Sequence, residues 1–182
     1  MKIKLLPKFI VSLAVLGVAL TVAVSTFSYL SSKDYLEEMY AQRVISGSKS
    51  VATMLDADDV RTIISDGGEN SEAYSRVEKT LNTLKRDGEI TYLSLVIPDE
   101  DSVTFYIDGC VPEMGDDPAN QLTYGTDVLY TDAANDEADL QKYLLIWGMY
   151  AENKGTDEPL VTDNSYGYNY TAVSPILDEN GQ

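Results

Sequence analysis

A chain of 182 residues with 44% hydrophobic side chains is long enough for one ordinary domain with a buried core. Its net charge of -17 is concentrated late, with 19 acidic and two basic side chains in residues 88–182, a surface that repels nucleic acid and anionic lipid. The absence of histidine and the single cysteine, Cys110, exclude an internal disulfide and zinc sites built on His or paired Cys; Cys110 reads as a small, unreactive loop residue.

The first element is FIVSLAVLGVALTVAVSTFSYL, residues 9–30, a run of 22 residues without a charge. As a helix it is roughly 33 Å long, which matches a bilayer core. Lys2, Lys4 and Lys8 precede it and the acidic bulk follows, so the positive-inside rule predicts residues 1–8 in the cytoplasm and residues after about 32 outside the cell membrane. The alternative is a cleaved signal peptide with Ala23-Val24-Ser25 as its small-x-small site. Retention is favoured because the apolar stretch exceeds a usual signal core and runs on into a second helical pattern.

That pattern places Leu36, Met39, Tyr40, Val44, Ser48, Val51 and Leu55 on one stripe. Nothing stops a helix between Ser12 and Asp56, which predicts one rod of roughly 65 Å. It also offers a surface for a homodimer, though its stripe is too irregular to establish a coiled coil. Asp56 or Asp58 caps a short helix that ends at Gly67-Gly68. Ser71 opens another, with Tyr74, Val77, Leu81 and Leu84 on one face and a stop at Asp87-Gly88.

Here the period changes to two. TYLSLVIP (91–98) and SVTFYIDG (102–109) read as an antiparallel hairpin around Asp99-Glu100-Asp101. Alternation sets Leu93, Leu95, Ile97, Val103, Phe105 and Ile107 on an aliphatic face, and Tyr92, Ser94, Val96, Thr104, Tyr106 and Asp108 on an aromatic and polar one. Residues 110–135 form a long loop, and Glu137 to Met149 a helix with Leu140, Leu144 and Trp147 on one side. Glu152 to Asp157 is a turn-rich link. The last phrase, YGYNYTAVSPILDENGQ (166–182), alternates through Tyr168, Tyr170, Ala172, Ser174 and Ile176 and then reaches the turn dipeptide Asn180-Gly181.

This order of elements resembles the PAS-like Cache sensor domains of bacterial transmembrane receptors. The phrases that carry the resemblance are EAYSRVEKTLNTLKRDGEITYLSLVIPDEDSVTFYIDG (72–109) and the closing YGYNYTAVSPILDENGQ (166–182). It implies an α+β fold in which a transmembrane helix (9–30) continues into a long extracytoplasmic helix that packs on an antiparallel PAS-like sheet, residues 31–182 forming the sensor. In relatives the closing phrase runs into a Val/Gly-rich strand, a second membrane span and a cytoplasmic output module. The expectation is therefore a truncated domain whose final strand, return span and output lie beyond Gln182.

In such a fold one sheet face packs on the long helix and the other receives the loop. With the aliphatic set on the helix side, the expected ligand pocket holds Tyr92, Ser94, Tyr106, Asp108, Tyr168, Tyr170 and Ser174, with Tyr124 and Tyr130 from the loop. Tyrosines with polar neighbours are also common on sheet faces that bind nothing. Amino-acid-sensing relatives hold the ligand carboxylate with an arginine; here the last arginine is Arg86, with only Lys142 and Lys154 beyond it. Aromatic rings beside Asp108 instead suit a cationic or neutral small molecule. The acidic runs at 56–59, 99–101 and 132–139 lack the calcium-loop spacing and read as solvated surface, so neither metal nor cofactor is expected.

The resemblance thus implies an extracytoplasmic sensing module that signals by helix displacement across the lipid bilayer, on behalf of a histidine kinase, chemoreceptor or diguanylate cyclase. The alternative is a membrane-anchored binding protein that signals nothing. An enzyme is disfavoured, because histidine, the G-x-S-x-G elbow, the Walker loop and G-x-G-x-x-G are all missing.

Overall fold

The computed structural model describes residues 5–164, 167–178 and 181. It is an α+β chain in two compact units, residues up to Tyr40 and residues from Ala41 onward. Helix α1, Leu5–Met54, is a single run of 50 residues. Gly17 and Gly47 interrupt nothing, as expected of isolated glycines in a helix held by many propagating bonds. In the first unit the side chains from Phe9 to Leu30 stand exposed. Among the described residues α1 is the one helix long and apolar enough to cross a membrane, a description that N-terminal signal sequences also meet.

In the second unit, helix α2 (Ala57–Thr62) starts where Asp56 accepts from the Asp58 amide at 2.8 Å. It widens into a π turn, Ile63–Gly67, and ends at Gly68, whose φ of 54° suits a residue without Cβ. Helix α3 (Glu72–Asp87) begins at Ser71, whose hydroxyl accepts from the Tyr74 amide at 3.0 Å, and ends at Gly88. Its inward stripe is Ala73, Tyr74, Val77 and Leu81, and the next position on that stripe is Lys85, also buried. Ala73, Tyr74, Val77 and Leu81 join Val51 of α1, Val60 and Ile63 in one core.

The sheet side of that core comes from strands β1 (Ser94–Pro98) and β2 (Ser102–Asp108), an antiparallel hairpin as predicted. Ser94 pairs with Asp108 and Leu95 with Ile107, but Val96 then pairs with Phe105. Tyr106 is the extra residue of a β-bulge, and a bulge breaks strict alternation. Four assignments change as a result, since Thr104 now shares a face with Ile97 and Val103 lies opposite Pro98. Tyr106 packs against the helical core beside Leu95 and Ile107 instead of facing away from it, and Phe105 shares a face with Val96.

The expected loop at 110–135 holds more structure than its sequence shows. Strand β3 (Thr126–Leu129) pairs with β2, giving a three-stranded sheet in the order β1-β2-β3, and helix α4 (Tyr130–Ala133) follows at once. Four residues are too few for a periodic signal. Helix α5 (Glu137–Ala151) is apolar on most sides; its most buried residues are Asp139 and Ile146, while Leu140, Leu144 and Trp147 are half-buried.

Strands β4 (Leu160–Asn164) and β5 (Gly167–Thr171) form a second, two-stranded antiparallel sheet. The closing phrase therefore finds its partner upstream, in a strand the sequence did not reveal. Strand pairing ends at Thr171, and residues 172–178 continue without a ladder. Asn180, Ser165 and Tyr166 lie outside the described residues.

Candidate functional site

The nine expected pocket residues separate into groups. Ser94 donates to Asp108 at 2.7 Å, and the other Asp108 oxygen accepts from the Leu122 amide at 3.1 Å. The Asp108 backbone carbonyl accepts from the Gln121 side chain at 2.5 Å. Asp108 thus folds the following loop onto β2 and is engaged as an acceptor there. Tyr106 meets Tyr124 edge-on at 5.4 Å, Tyr124 meets Tyr74 at 6.3 Å, and the Tyr124 hydroxyl donates to the Ile63 carbonyl of the π turn at 2.8 Å. Burial pushes the Tyr106 phenol up, with the neighbouring Tyr124 and Tyr150 acting in the same direction. This trio packs the loop on the core.

Tyr130 is 1% exposed and stacks on Tyr143 at 5.9 Å. Among the described residues its hydroxyl is the one buried side-chain polar atom without a hydrogen bond. Tyr92 is exposed ahead of β1, Tyr168 and Tyr170 meet edge-on at 5.7 Å on β5, and Ser174 accepts from Ser48 of α1 at 2.9 Å. The structure therefore brings together Ser94 with Asp108, Tyr106 with Tyr124, and Tyr168 with Tyr170. Of the two grooves described, one is lined by none of the nine and the other by Tyr168 alone among them.

One groove does contain a predicted residue. It measures about 700 Å³ and lies between the start of α5 and the β4–β5 hairpin, lined by Asn135, Asp136, Ala138, Asp139, Lys142, Pro159 to Thr162 and Tyr168. Asp136 caps α5 by accepting from the Asp139 amide at 2.9 Å, and the Asp139 carboxylate, 5% exposed, accepts from Lys142 at 3.0 Å. Strand alternation buries Leu160 and Thr162 together, while Tyr168 opposite Asp163 is 61% exposed at the rim. Two carboxylates against one ammonium leave the groove negative, and Tyr168 supplies an exposed aromatic face. A cationic or neutral guest is matched to that combination and an anionic one is opposed by it.

Asp136 and Asp139 were readable only as part of an acidic, solvated run, and Lys142 only as one of the two cations beyond Arg86. The available signal was spacing: Lys142 stands three residues after Asp139 on a predicted helix, where the two side chains meet. The groove itself needed β4.

A second polar cluster lies at the other end of α3. Lys85 is 3% exposed and donates to the Gly109 carbonyl at 2.7 Å and to Asp116 at 2.5 Å; Asp116 also accepts from the Val111 amide at 2.6 Å. Asn82 accepts from the Cys110 amide at 2.9 Å. Gly109 is required here, since a Cβ would stand 2.7 Å from the Leu93 carbonyl. Burial, then the Asp116 carboxylate, pushes the Cys110 thiol up, which keeps it protonated and inert. The cluster is a structural clamp on the loop.

Among the described residues no group of three or more acidic or cysteine side chains is placed to hold a metal ion. Compared with protein-family models, curated proteins and solved structures, the chain matches none.

Proposed function

We propose that this chain is the membrane-anchored sensing front end of a signalling receptor, with a PAS-like Cache arrangement of its extracytoplasmic body. The observation that carries the reading is the dual character of α1: one unbroken helix is lipid-compatible over Phe9–Leu30 and contributes Val51 to the core of the body. A change in how the body packs around Val51 acts directly on the helix that enters the bilayer. In this reading the three N-terminal lysines stay in the cytoplasm and the acidic body lies outside.

Reading the gene beyond codon 182 tests the receptor. A second apolar span of about 20 residues followed by a cytoplasmic output module is the expected result. A stop codon at that point overturns it in favour of a membrane-anchored binding protein.

The groove at α5 and β4–β5 is the ligand site in this reading, and its guest is a small organic cation or a neutral molecule. Calorimetric titration of the full chain in detergent micelles with quaternary amines, polyamines, neutral sugars, amino acids and dicarboxylates is the check. A cation or neutral compound binds best, and Tyr168→Ala weakens that binding by about tenfold through loss of the aromatic face. Preference for a dicarboxylate overturns the assignment.

A further inference from the structure

We propose that residues Ala172–Asp178 are a strap that couples the groove to helix α1, an inference that rests on reading the groove as the ligand site. Strand β5 carries Tyr168 at the groove rim and ends at Thr171. The chain continues from there without ladder hydrogen bonds, and among the described residues at least four attachments hold it. Thr156, itself 1% exposed, donates from its amide to the Val173 carbonyl at 2.9 Å and accepts from the Val173 amide at 3.2 Å. Ser174 accepts from Ser48 of α1 at 2.9 Å. Ile176 packs on the core that Val51 of α1 shares. Asp178 pairs with Arg61 of α2 at 2.5 Å.

These attachments have different strengths, which is what makes the segment a coupler. Thr156 is enclosed and fixes the strap near the hairpin. Beyond it, one hydroxyl pair joins Ser174 to α1, and the next holds are Ile176 on the core and Asp178 on Arg61, so the stretch around Ser174 is the weakly held part and shifts at the least cost. The attachment of Val173 to Thr156 lies between Tyr168 and Ser174, so displacement of Tyr168 by a guest reaches Ser174 as a turn of the backbone about that point. The strap thereby passes a change at the groove to Ser48 on the same helix that carries the apolar run. By linkage, fixing Ser174 on α1 restrains the hairpin in return.

That reciprocity is measurable without a ligand. Ser48→Cys/Ser174→Cys is made in the full chain on a Cys110→Ser background, and amide exchange is followed in detergent micelles with the pair oxidised and then reduced. The hydroxyl oxygens already meet at 2.9 Å, so the two thiols are expected to oxidise readily. With the bridge formed, amides at 160–162 and 167–171 exchange about threefold more slowly than in the reduced protein, while those at the C-terminal turn of α3 are unchanged. The opposite variant, Ser48→Ala/Ser174→Ala, speeds hairpin exchange by a similar factor. Failure of the thiols to bridge, or equal hairpin exchange in both redox states, overturns the strap. Because no guest is present, this result is independent of whether the groove binds a small molecule, which the titration decides separately.

Discussion

Replacing Asp116 with alanine is expected to lower the unfolding free energy of the body by about 3 kcal/mol, because it strands a buried ammonium. Lys85 is 3% exposed, and Asp116 and the Gly109 carbonyl are the two acceptors that hold its charge. Removing one partner of a buried pair costs more than the pair contributes, since the remaining charge cannot be rehydrated in place. Asp116 is 24% exposed, so water reaches part of the site and holds the loss to the lower end of the range for buried pairs. Lys85→Met should cost less: it keeps the aliphatic stem and leaves Asp116 with the Val111 amide and solvent. Urea titration of the full chain in micelles, read by the fluorescence of Trp147, compares them. An equal or larger loss in Lys85→Met would falsify the stranded-charge account.

The same pair predicts an acid limb. The Lys85 hydrogen bond, then the Val111 amide, holds the Asp116 carboxyl below its ordinary value. A depressed folded-state pKa gives stability that is present above the unfolded value, about 3.9, and is lost as pH falls through the folded one. Asp116→Asn should flatten that part of the stability curve.

The second large effect lies at the alkaline end. Burial first, and then the carboxylates of Asp99, Asp101 and Asp127, push the Tyr130 phenol up to about 12. In the unfolded chain the phenol ionises near pH 10, so between about pH 10 and 12 the unfolded state releases a proton that the folded state keeps. Stability falls as pH rises through that window, by about 3 kcal/mol for two pH units. Tyr130→Phe removes this loss while retaining the ring against Tyr143. At neutral pH the variant should be no less stable than the parent, because the deleted hydroxyl is buried without a partner. Denaturant titrations of both proteins at several pH values are the measurement, and parallel curves up to pH 12 would sink the prediction.

Local rules account for what was legible. The α1 run, the Asp56 and Ser71 caps, the stop at Gly88 and the β1–β2 hairpin all follow from periodicity or from bonds spanning a few residues. The expected site fared differently because its strand residues were placed by alternation alone, and Tyr124 and Tyr130 by their position in the loop. One bulge at Tyr106 turned a pocket residue into a core residue. Asp108, read as a counter-charge for a ligand, satisfies the amide of Leu122 and the hydroxyl of Ser94. A backbone donor fourteen residues away leaves no trace in a pattern of apolar positions.

By itself the sequence determined helices α1, α2, α3 and α5, the first hairpin and the sign of the charge, because these depend on composition and on neighbours within a turn or a strand. Only the tertiary structure decided that β5 pairs with β4, that Lys85 on the inward stripe of α3 is clamped by Asp116, and that Tyr168 overlooks Asp136 and Lys142. Those outcomes rest on which distant groups satisfy one another once water is removed. A buried charge or an unpaired strand edge costs several kcal/mol until a partner is found, and the partner's identity is a property of the packed chain.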